Sequence, residues 1–337
     1  MIERVLDVSN LTVDIPVAGG MLHAVQSVSF HVDRGETLCI VGESGCGKSL
    51  TSLAIMDLLP KKATRTAETL SLDGENLLAI TERRMSDIRG NTMGMIFQEP
   101  MTSLNPAYTI GNQMEEALKR HRRVTTAEAR DRAVYLLEKV GITAARSRLS
   151  QYPHQLSGGL RQRVMIAMTL MCGPDLIIAD EPTTALDVTI QAQILLLLAE
   201  LQDEFEMGLV LITHDLGVVA RIADRVAVMY AGEIVEQGTA EQVFNRPSHP
   251  YTQGLLECIP IPGKTARDKP LGSIPGMVPS LVGKFQGCHF ADRCPFVMDA
   301  CTAADVALDG RVEPGHEVRC LLTTEQSQAN AADKGVV

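Results

Sequence analysis

The sequence lacks tryptophan and is poor in aromatic residues, which make up 4% of its 337 residues. Few aromatic side chains are therefore available for ring stacking. No apolar run comes near the roughly 20 residues that a membrane-spanning helix needs. The N-terminal MIERVLDVSN contains acidic residues and no apolar core, so it predicts no secretory signal. We therefore expect any membrane role to depend on partner chains.

A basic excess is also missing. The formal net charge is −10, and the sequence pI is about 5.3. Proteins that bind nucleic acid need clustered lysine and arginine against the phosphates, so no nucleic-acid partner is expected. We interpret the basic run at 119–123 (KRHRR) as the solvated face of a helix.

Apolar periodicity predicts an α/β fold. VLDVSNLTVDI and AVQSVSFHVDRG alternate with the period of half-buried strands. Residues 101–150 are mostly charged and helical in pattern, and short apolar runs alternate with helices again after residue 155. Such alternation is typical of a mostly parallel sheet covered on both faces. The proline- and glycine-rich residues 246–287 predict an extended appendage, and the polar residues 323–337 predict a disordered tail.

The segment GESGCGKS matches the phosphate loop GxxxxGKS between a predicted strand and a predicted helix. Its glycines permit a tight turn in which successive N–H groups face phosphates at a helix N-terminus. Lys48 is expected to reach the β- and γ-phosphates, and the Ser49 hydroxyl is expected to bind Mg2+. The predicted nucleotide-binding residues of the loop are Gly42, Ser44, Gly45, Cys46, Gly47, Lys48 and Ser49.

A second acidic motif, DLIIADE, follows downstream. Its apolar strand ends in Asp180, which is expected to hold Mg2+ or its water, and in Glu181, which is positioned as the general base for an attacking water. Alone this pattern is weak, because many buried strands end in acids. After a phosphate loop it becomes a specific indication of nucleotide hydrolysis.

With LSGGLRQ at 156–162 the sequence resembles the ABC-type ATPases, whose signature motif this is. The resemblance implies a Q-loop glutamine at Gln98, a D-loop aspartate at Asp187 and a switch histidine at His214. It further implies that Ser157, Gly158 and Gly159 bind the ATP of an opposing subunit, and that Gln98 also contacts Mg2+ or the attacking water. The catalytic residues implied are Glu181, His214, Gln98 and Lys48.

The fold implied is a P-loop NTPase (RecA-like) core with an N-terminal antiparallel β subdomain, a helical subdomain inserted at about 100–160, and a small irregular cysteine-containing C-terminal extension. Two positions depart from the family pattern. Leu160 stands where many members have glutamine, and PVAGGMLHAV offers no aromatic adenine platform. Either Met21, Leu22 or His23 supplies weaker apolar packing on the base, or the platform is missing. From this gap we infer low base selectivity as a hypothesis.

Longer stretches (FQEPMTSLNP, YPHQLSGG and RPSHPYTQGLL) resemble the ATPases of dipeptide and oligopeptide importers, the Opp/Dpp group, most closely the dipeptide D-type subunit. This implies an ATPase domain at 1–245 and an extension at 246–322. It implies an ATPase that energises uptake of di- or oligopeptides at the cytoplasmic face of the bacterial inner membrane. The implied partners are a second homologous ATPase in a heterodimer, two permeases and an extracytoplasmic solute-binding protein. Nickel import, a soluble ABC ATPase without a transport role and an inactive cassette remain alternatives.

Four of the eight cysteines fall near the end of the chain, at Cys288, Cys294, Cys301 and Cys320. Their gaps match neither common zinc modules nor the bacterial ferredoxin run. Thiolates suit zinc and iron–sulfur clusters equally, and disulfides are disfavoured in a reducing cytoplasm. Resemblance to the Opp/Dpp extension favours a structural 4Fe–4S cluster, with Zn2+ and free thiols as alternatives.

Overall fold

The computed structural model describes residues 3–99, 103–183, 186–259, 272–283 and 285–333. The chain forms two compact units, each assembled from several segments. The first unit comprises Met1–Leu6, Val32–Thr37 and Ser71–Ile212, and the second comprises Asp7–His31, Leu38–Leu70 and Thr213–Val337. The phosphate loop and the residues after 246 therefore belong to the same unit, whereas the boundaries at 245 and 322 stay predictions from sequence.

The strands and the helices of the described residues are each numbered in chain order. The strands are β1 Arg4–Val17, β2 Gly20–Asp33, β3 Thr37–Val41, β4 Thr64–Thr66, β5 Thr69–Leu72, β6 Glu75–Asn76, β7 Met93–Ile96, β8 Leu176–Asp180, β9 Gly208–Ile212, β10 Arg225–Tyr230, β11 Glu233–Thr239, β12 Asp309–Glu313 and β13 His316–Val318. The helices are α1 Lys48–Ile55, α2 Glu82–Ile88, α3 Ile110–His121, α4 Thr126–Lys139, α5 Ala145–Arg148, α6 Gly158–Thr169, α7 Val188–Phe205, α8 Leu216–Ile222, α9 Ala240–Asn245, α10 Pro250–Glu257, α11 Asp299–Ala303 and α12 Thr324–Asp333.

The first unit contains a parallel ladder of β7, β8 and β9. Ile96 pairs with Ala179, and Asp180 pairs with Ile212, so the three strands end at nearly the same level. Every residue of these strands is buried. Strands buried on both faces have continuous apolar sequences rather than alternating ones, which is why DLIIADE and LVLITHD are recognisable.

The segment predicted to be helical at 101–150 forms α3, α4 and α5. Thr109 caps α3, and Thr125 with Glu128 forms a reciprocal capping box at the start of α4. These caps fix where α3 and α4 begin, because each capping side chain accepts a hydrogen bond from an N–H group that has no partner within the helix. α4 packs against α3, α5 and α6. Residues 101 and 102 lie outside the described residues.

The second unit contains most of the β1–β2 hairpin, to which β4 is joined by antiparallel pairing with β1. β3 and β10 are parallel neighbours, with Val41 opposite Val228. Antiparallel pairing continues from β10 to β11, β13 and β12. Both alternating runs at the N-terminus are therefore strands, as their period predicts.

The residues after 246 are more regular than the sequence predicts. Helix α10 forms within the residues that the sequence predicts to be extended. The helix is stabilised at its start because Pro250 occupies a favourable first helical position and the His249 side chain caps it. α12 lies within the predicted disordered tail. A Thr323–Gln326 capping pair starts this helix, and Gln253 donates a 2.9 Å hydrogen bond to the Ser327 carbonyl. Residues 260–271, 284 and 334–337 lie outside the described residues.

Among the helices described here, none combines the length and the apolar character of a membrane span.

Candidate functional site

The phosphate loop joins the buried strand β3 to helix α1. α1 begins at Lys48, and Gly47 precedes it with φ 105°, a left-handed conformation that glycine adopts without strain. Ser49 follows in the first turn of α1. The first N–H groups of a helix point towards its N-terminus, where together with such a loop they can stabilise an anion.

Gly42 and Gly47 are needed because backbone approaches them closely. A Cβ at Gly42 would lie 2.1 Å from the Met229 carbonyl oxygen, and one at Gly47 would lie 2.5 Å from the Ala24 carbonyl oxygen. At Gly45, in contrast, a Cβ would meet nothing within 4 Å. Two of the loop glycines are thus required by packing as well as by their backbone conformation.

Lys48 lies almost fully inside the loop, with 4% of its surface exposed. Its Nζ donates to the carbonyl oxygens of Gly42 at 2.8 Å and Glu43 at 3.0 Å. The buried Cys46 thiol lies 3.7 Å from the same ammonium. Burial raises the pKa of Cys46, although Lys48 acts in the opposite direction. The Lys48 ammonium is therefore bound to carbonyls of the loop. Phosphate oxygens of a bound nucleotide would replace these carbonyls as its partners.

Asp180 and Glu181 end strand β8 in the first unit. Asp180 is 6% exposed, and the Glu181 N–H donates to the Ile212 carbonyl of β9 at 2.9 Å. Glu181 has φ 43°, in the left-handed region that costs a non-glycine residue about 1–2 kcal/mol. Such backbone strain is concentrated at functional sites.

Gln98 and Glu181 meet in the first unit. The Gln98 Nε2 donates to Glu181 Oε2 at 3.0 Å, across 83 residues of sequence. The strand register explains this contact, because Ile96 pairs with Ala179 and each polar residue follows its strand by two positions. The predicted Q-loop glutamine and the predicted general base thus lie within hydrogen-bond distance.

The signature segment begins helix α6. Ser157 is the N-cap, and its hydroxyl accepts a hydrogen bond from the Leu160 N–H at 3.4 Å. Ser157 and Gly158 are exposed. A Cβ at Gly159 would lie 3.3 Å from Ile190, in the first turn of α7. Asp187, the predicted D-loop aspartate, is the exposed N-cap residue of α7. Residues 184 and 185 of the D-loop lie outside the described residues.

His214 belongs to the second unit, and its side chain is exposed. Thr213 before it is buried, and its N–H donates to the Ile40 carbonyl of β3 at 3.3 Å. Asp215 after it caps helix α8 through a 3.2 Å bond from the Val218 N–H. Both neighbours are fixed by hydrogen bonds, so the histidine is presented on a short, anchored turn.

Comparison with known proteins agrees with this arrangement. Residues 25–184 match the family described as ABC transporter, and residues 235–301 match the C-terminal region of oligopeptide/dipeptide transporters. A probable peptide ABC transporter ATP-binding protein of Sinorhizobium fredii is 49% identical, covering 96% of each chain. The chain belongs to the ABC transporter ATP-binding proteins.

The dipeptide transport ATP-binding protein DppD of Bacillus subtilis is 48% identical, covering 97% of each chain. Among solved structures, the ATP-binding cassette MJ0796, a dimer in a post-hydrolysis state with ADP and Pi, superposes with a TM-score of 0.63 at 28% identity. The match covers 70% of this chain and 98% of the other. The ABC ATPase fold is therefore established for the chain.

In this ABC cassette the region predicted to receive adenine is paired with the C-terminal extension. The His23 N–H donates to the Leu281 carbonyl at 3.0 Å, and the Gly283 N–H donates to the Met21 carbonyl at 2.9 Å. The His23 ring is also bound to Asp14, at 2.6 Å. Met21 remains 40% exposed and is the apolar side chain of the three that is best presented for packing on a base.

The extension of the cassette also contacts the phosphate loop itself. The Glu43 N–H donates to the Tyr251 hydroxyl at 2.8 Å. The Arg293 guanidinium binds both oxygens of the Glu43 carboxylate, at 2.6 and 3.1 Å. This hydrogen-bonded pairing raises the pKa of Arg293 above its ordinary value, so the guanidinium is always charged.

Sequence reasoning missed Glu43, Tyr251 and Arg293 as parts of this site. A charged residue inside the phosphate loop was a signal that a counter-charge is needed. Its partner lies 250 residues away, however, and nothing in the local sequence identifies it.

The four C-terminal cysteines line one small, largely apolar cavity together with Phe290 and Val306. The Cys288 N–H donates to the Cys301 carbonyl at 2.7 Å. Burial raises the pKa of both Cys288 and Cys320 to about 11. Among the described residues, no group of three or more His, Cys, Asp or Glu side chains is arranged to hold a metal ion. The predicted iron–sulfur or zinc ligation by Cys288, Cys294, Cys301 and Cys320 thus has no support in the arrangement of the thiols.

Proposed function

We propose that the chain is the ATP-hydrolysing subunit of an ABC importer that drives uptake of di- or oligopeptides across the cytoplasmic membrane. The observation that supports hydrolysis most directly is the 3.0 Å bond between Gln98 and Glu181. It holds the group that would orient the attacking water beside the group that would accept its proton. The peptide substrate is proposed from the names of the full-length relatives.

The chemistry follows phosphoryl transfer, in which the protein mainly positions groups and stabilises charge. Lys48 would move from the loop carbonyls to the β- and γ-phosphates. Glu181 would take the proton of the water that Gln98 orients, and His214 would contact the γ-phosphate. Ser49 and Asp180 would each offer an oxygen ligand of the kind Mg2+ prefers, and the ion would supply positive charge that stabilises the phosphates.

The signature residues would act on a second subunit. Ser157, Gly158 and Gly159 are exposed or half-buried at a helix N-terminus, where phosphate oxygens are stabilised. We propose that they close over the ATP of a homologous ATPase, and that Asp187 lies at the same interface. Such a heterodimer would work at the cytoplasmic face of the membrane with two permeases and an extracytoplasmic solute-binding protein.

Reconstitution of the full transporter in vesicles tests this function. ATP hydrolysis and uptake of labelled dialanine are measured for the parent complex, for Glu181→Gln and for Glu200→Gln, a control at an exposed position of helix α7. We expect Glu181→Gln to lose hydrolysis by at least about 100-fold while still binding ATP. Glu200→Gln is expected to match the parent. Hydrolysis that survives Glu181→Gln would refute the assignment of the base.

The same vesicles distinguish the substrates. Uptake of nickel without dialanine would favour the nickel-importer alternative. ATP hydrolysis by the chain with no response to permeases would favour an ABC ATPase without a transport role.

We also propose, from the sequence, that the cysteine cluster binds a 4Fe–4S cluster, with Zn2+ as the alternative. The shared cavity supports this proposal, whereas the present arrangement of the thiols opposes it. Metal analysis and visible absorbance of protein purified without oxygen decide the question. Protein free of both iron and zinc would leave Cys288, Cys294, Cys301 and Cys320 as free thiols.

A further inference from the structure

The C-terminal extension holds one residue of the phosphate loop from two sides. Tyr251, at the start of α10, accepts the Glu43 N–H, and Arg293 binds the Glu43 carboxylate. Both extension residues are buried, with 0% and 8% of their surfaces exposed. Their contacts with the loop are therefore built into the core of the second unit.

Besides binding Glu43, the Arg293 side chain is held by two backbone carbonyls. Its Nε donates to the Pro275 carbonyl at 2.9 Å, and its Nη2 donates to the Ile274 carbonyl at 3.1 Å. The guanidinium also lies 5.7 Å from the centre of the Tyr230 ring. A guanidinium that already donates to several carbonyl acceptors loses little further freedom when it binds a carboxylate in bidentate geometry.

An aromatic cluster supports both contacts. The rings of Tyr230, Tyr251 and Phe290 have centroids 4.6, 5.2 and 5.4 Å apart, in tilted or edge-on geometry. This geometry is the favourable one for aromatic pairs. The cluster fixes the Tyr251 hydroxyl and lies against the Arg293 guanidinium.

Glu43 needs such a partner because of where it lies. Glu43 is the second residue of a loop whose N–H groups and lysine are expected to bind the phosphates of ATP. Like charges repel strongly at separations below the Debye length of about 8 Å at physiological salt. An unpaired carboxylate carried by this loop would oppose binding of the nucleotide.

We propose that Arg293 is a positioning residue for ATP: it neutralises Glu43 and, with Tyr251, fixes the first turn of the phosphate loop. The inference rests on the proposed ATP-binding function. It assigns to the extension a direct role at the nucleotide site. Arg293 acts through Glu43 and touches no reacting atom.

A double-mutant cycle on the full-length chain tests this role. The dissociation constant of MgATP is measured for the parent, Arg293→Met, Glu43→Gln and the double variant. We expect Arg293→Met to weaken binding about five- to tenfold, as loss of a charge-assisted pair predicts. Glu43→Gln in the Arg293→Met background is expected to restore affinity to within about twofold of the parent, because no unpaired anion then remains.

Restored MgATP affinity in the double variant would distinguish charge neutralisation from general structural damage, because the damage from two substitutions would add rather than cancel. Arg246→Met is the matched control, since Arg246 pairs with Glu313 at 2.7 Å and does not touch the loop. Nucleotide-free unfolding temperatures show whether each variant is folded. If Arg293→Met does not fold, Tyr251→Phe supplies the test, with an expected loss of about threefold in ATP affinity.

Equal ATP affinity in the parent and Arg293→Met would overturn the inference, as would a loss that Glu43→Gln fails to restore. Equal affinity in the parent and Tyr251→Phe would overturn it in the second case. A parent chain that binds no MgATP would refute the proposed function itself, and the inference with it.

Discussion

Glu236 provides a sharp test of what stabilises the C-terminal extension. This glutamate of strand β11 has 0% of its surface exposed. Its Oε1 accepts the Ser248 N–H at 2.7 Å and lies 2.7 Å from His316 Nε2, while its Oε2 accepts the His249 N–H at 2.8 Å. One buried carboxylate thus joins the turn before α10 to strand β13.

Replacing Glu236 by glutamine keeps the shape and removes one acceptor oxygen. The new NH2 group must then face either a backbone N–H or the His316 ring. A hydrogen bond to a charged group contributes about 1.5–3 kcal/mol, and an unsatisfied buried N–H costs about 1–3 kcal/mol. We therefore expect Glu236→Gln to lower the free energy of unfolding of the second unit by about 3 kcal/mol.

Urea unfolding followed by tyrosine fluorescence measures this change, since Tyr230 and Tyr251 lie in the same unit as Glu236. Glu241→Gln is the matched control at an exposed position of helix α9, where a change within about 0.5 kcal/mol is expected. If the two variants had the same urea midpoint, the assigned hydrogen-bond network would not stabilise the extension.

Two further predictions concern the phosphate loop. Gly42→Ala should bind ATP far more weakly than Gly45→Ala, because only the first places a Cβ 2.1 Å from the Met229 carbonyl, whereas the second bears just the left-handed backbone cost of about 1–2 kcal/mol. Equal affinities in nucleotide titrations would contradict the packing argument. Burial raises the pKa of Cys46, so little thiolate exists at pH 8, and iodoacetamide should label it slowly and faster as the pH rises. Mass spectrometry resolves the site, and rapid labelling at neutral pH would be inconsistent with a buried thiol.

Much of the site could be predicted from the sequence because its parts are local. A phosphate loop needs glycines, a lysine and a serine at a set spacing between one strand and one helix. The acids after strand β8 were recognisable because a strand buried on both faces is a continuous apolar run. The contact between Gln98 and Glu181, in contrast, depends on β7 and β8 being parallel neighbours that end at one level, which only the structure shows.

The residues after 246 were harder to predict because their order depends on distant contacts. Helix α12 is polar in sequence, and its Ser327 is buried through a bond from Gln253. The cysteine cluster is the opposite case, because the sequence predicted a metal site there. The four thiols line one cavity but lack the arrangement of a metal site. Burial and side-chain direction there depend on packing that spacing does not encode.

The sequence by itself determined the family, the strand–loop–helix motifs and the chemical types of residue at the ATP site, because these depend on short spacings and on apolar periodicity. Only the tertiary structure decided that Glu43 of the phosphate loop pairs with Arg293 and Tyr251 of the extension. An ion pair between residues 250 positions apart forms when the fold brings a buried guanidinium against a half-buried carboxylate, and no local pattern specifies that contact.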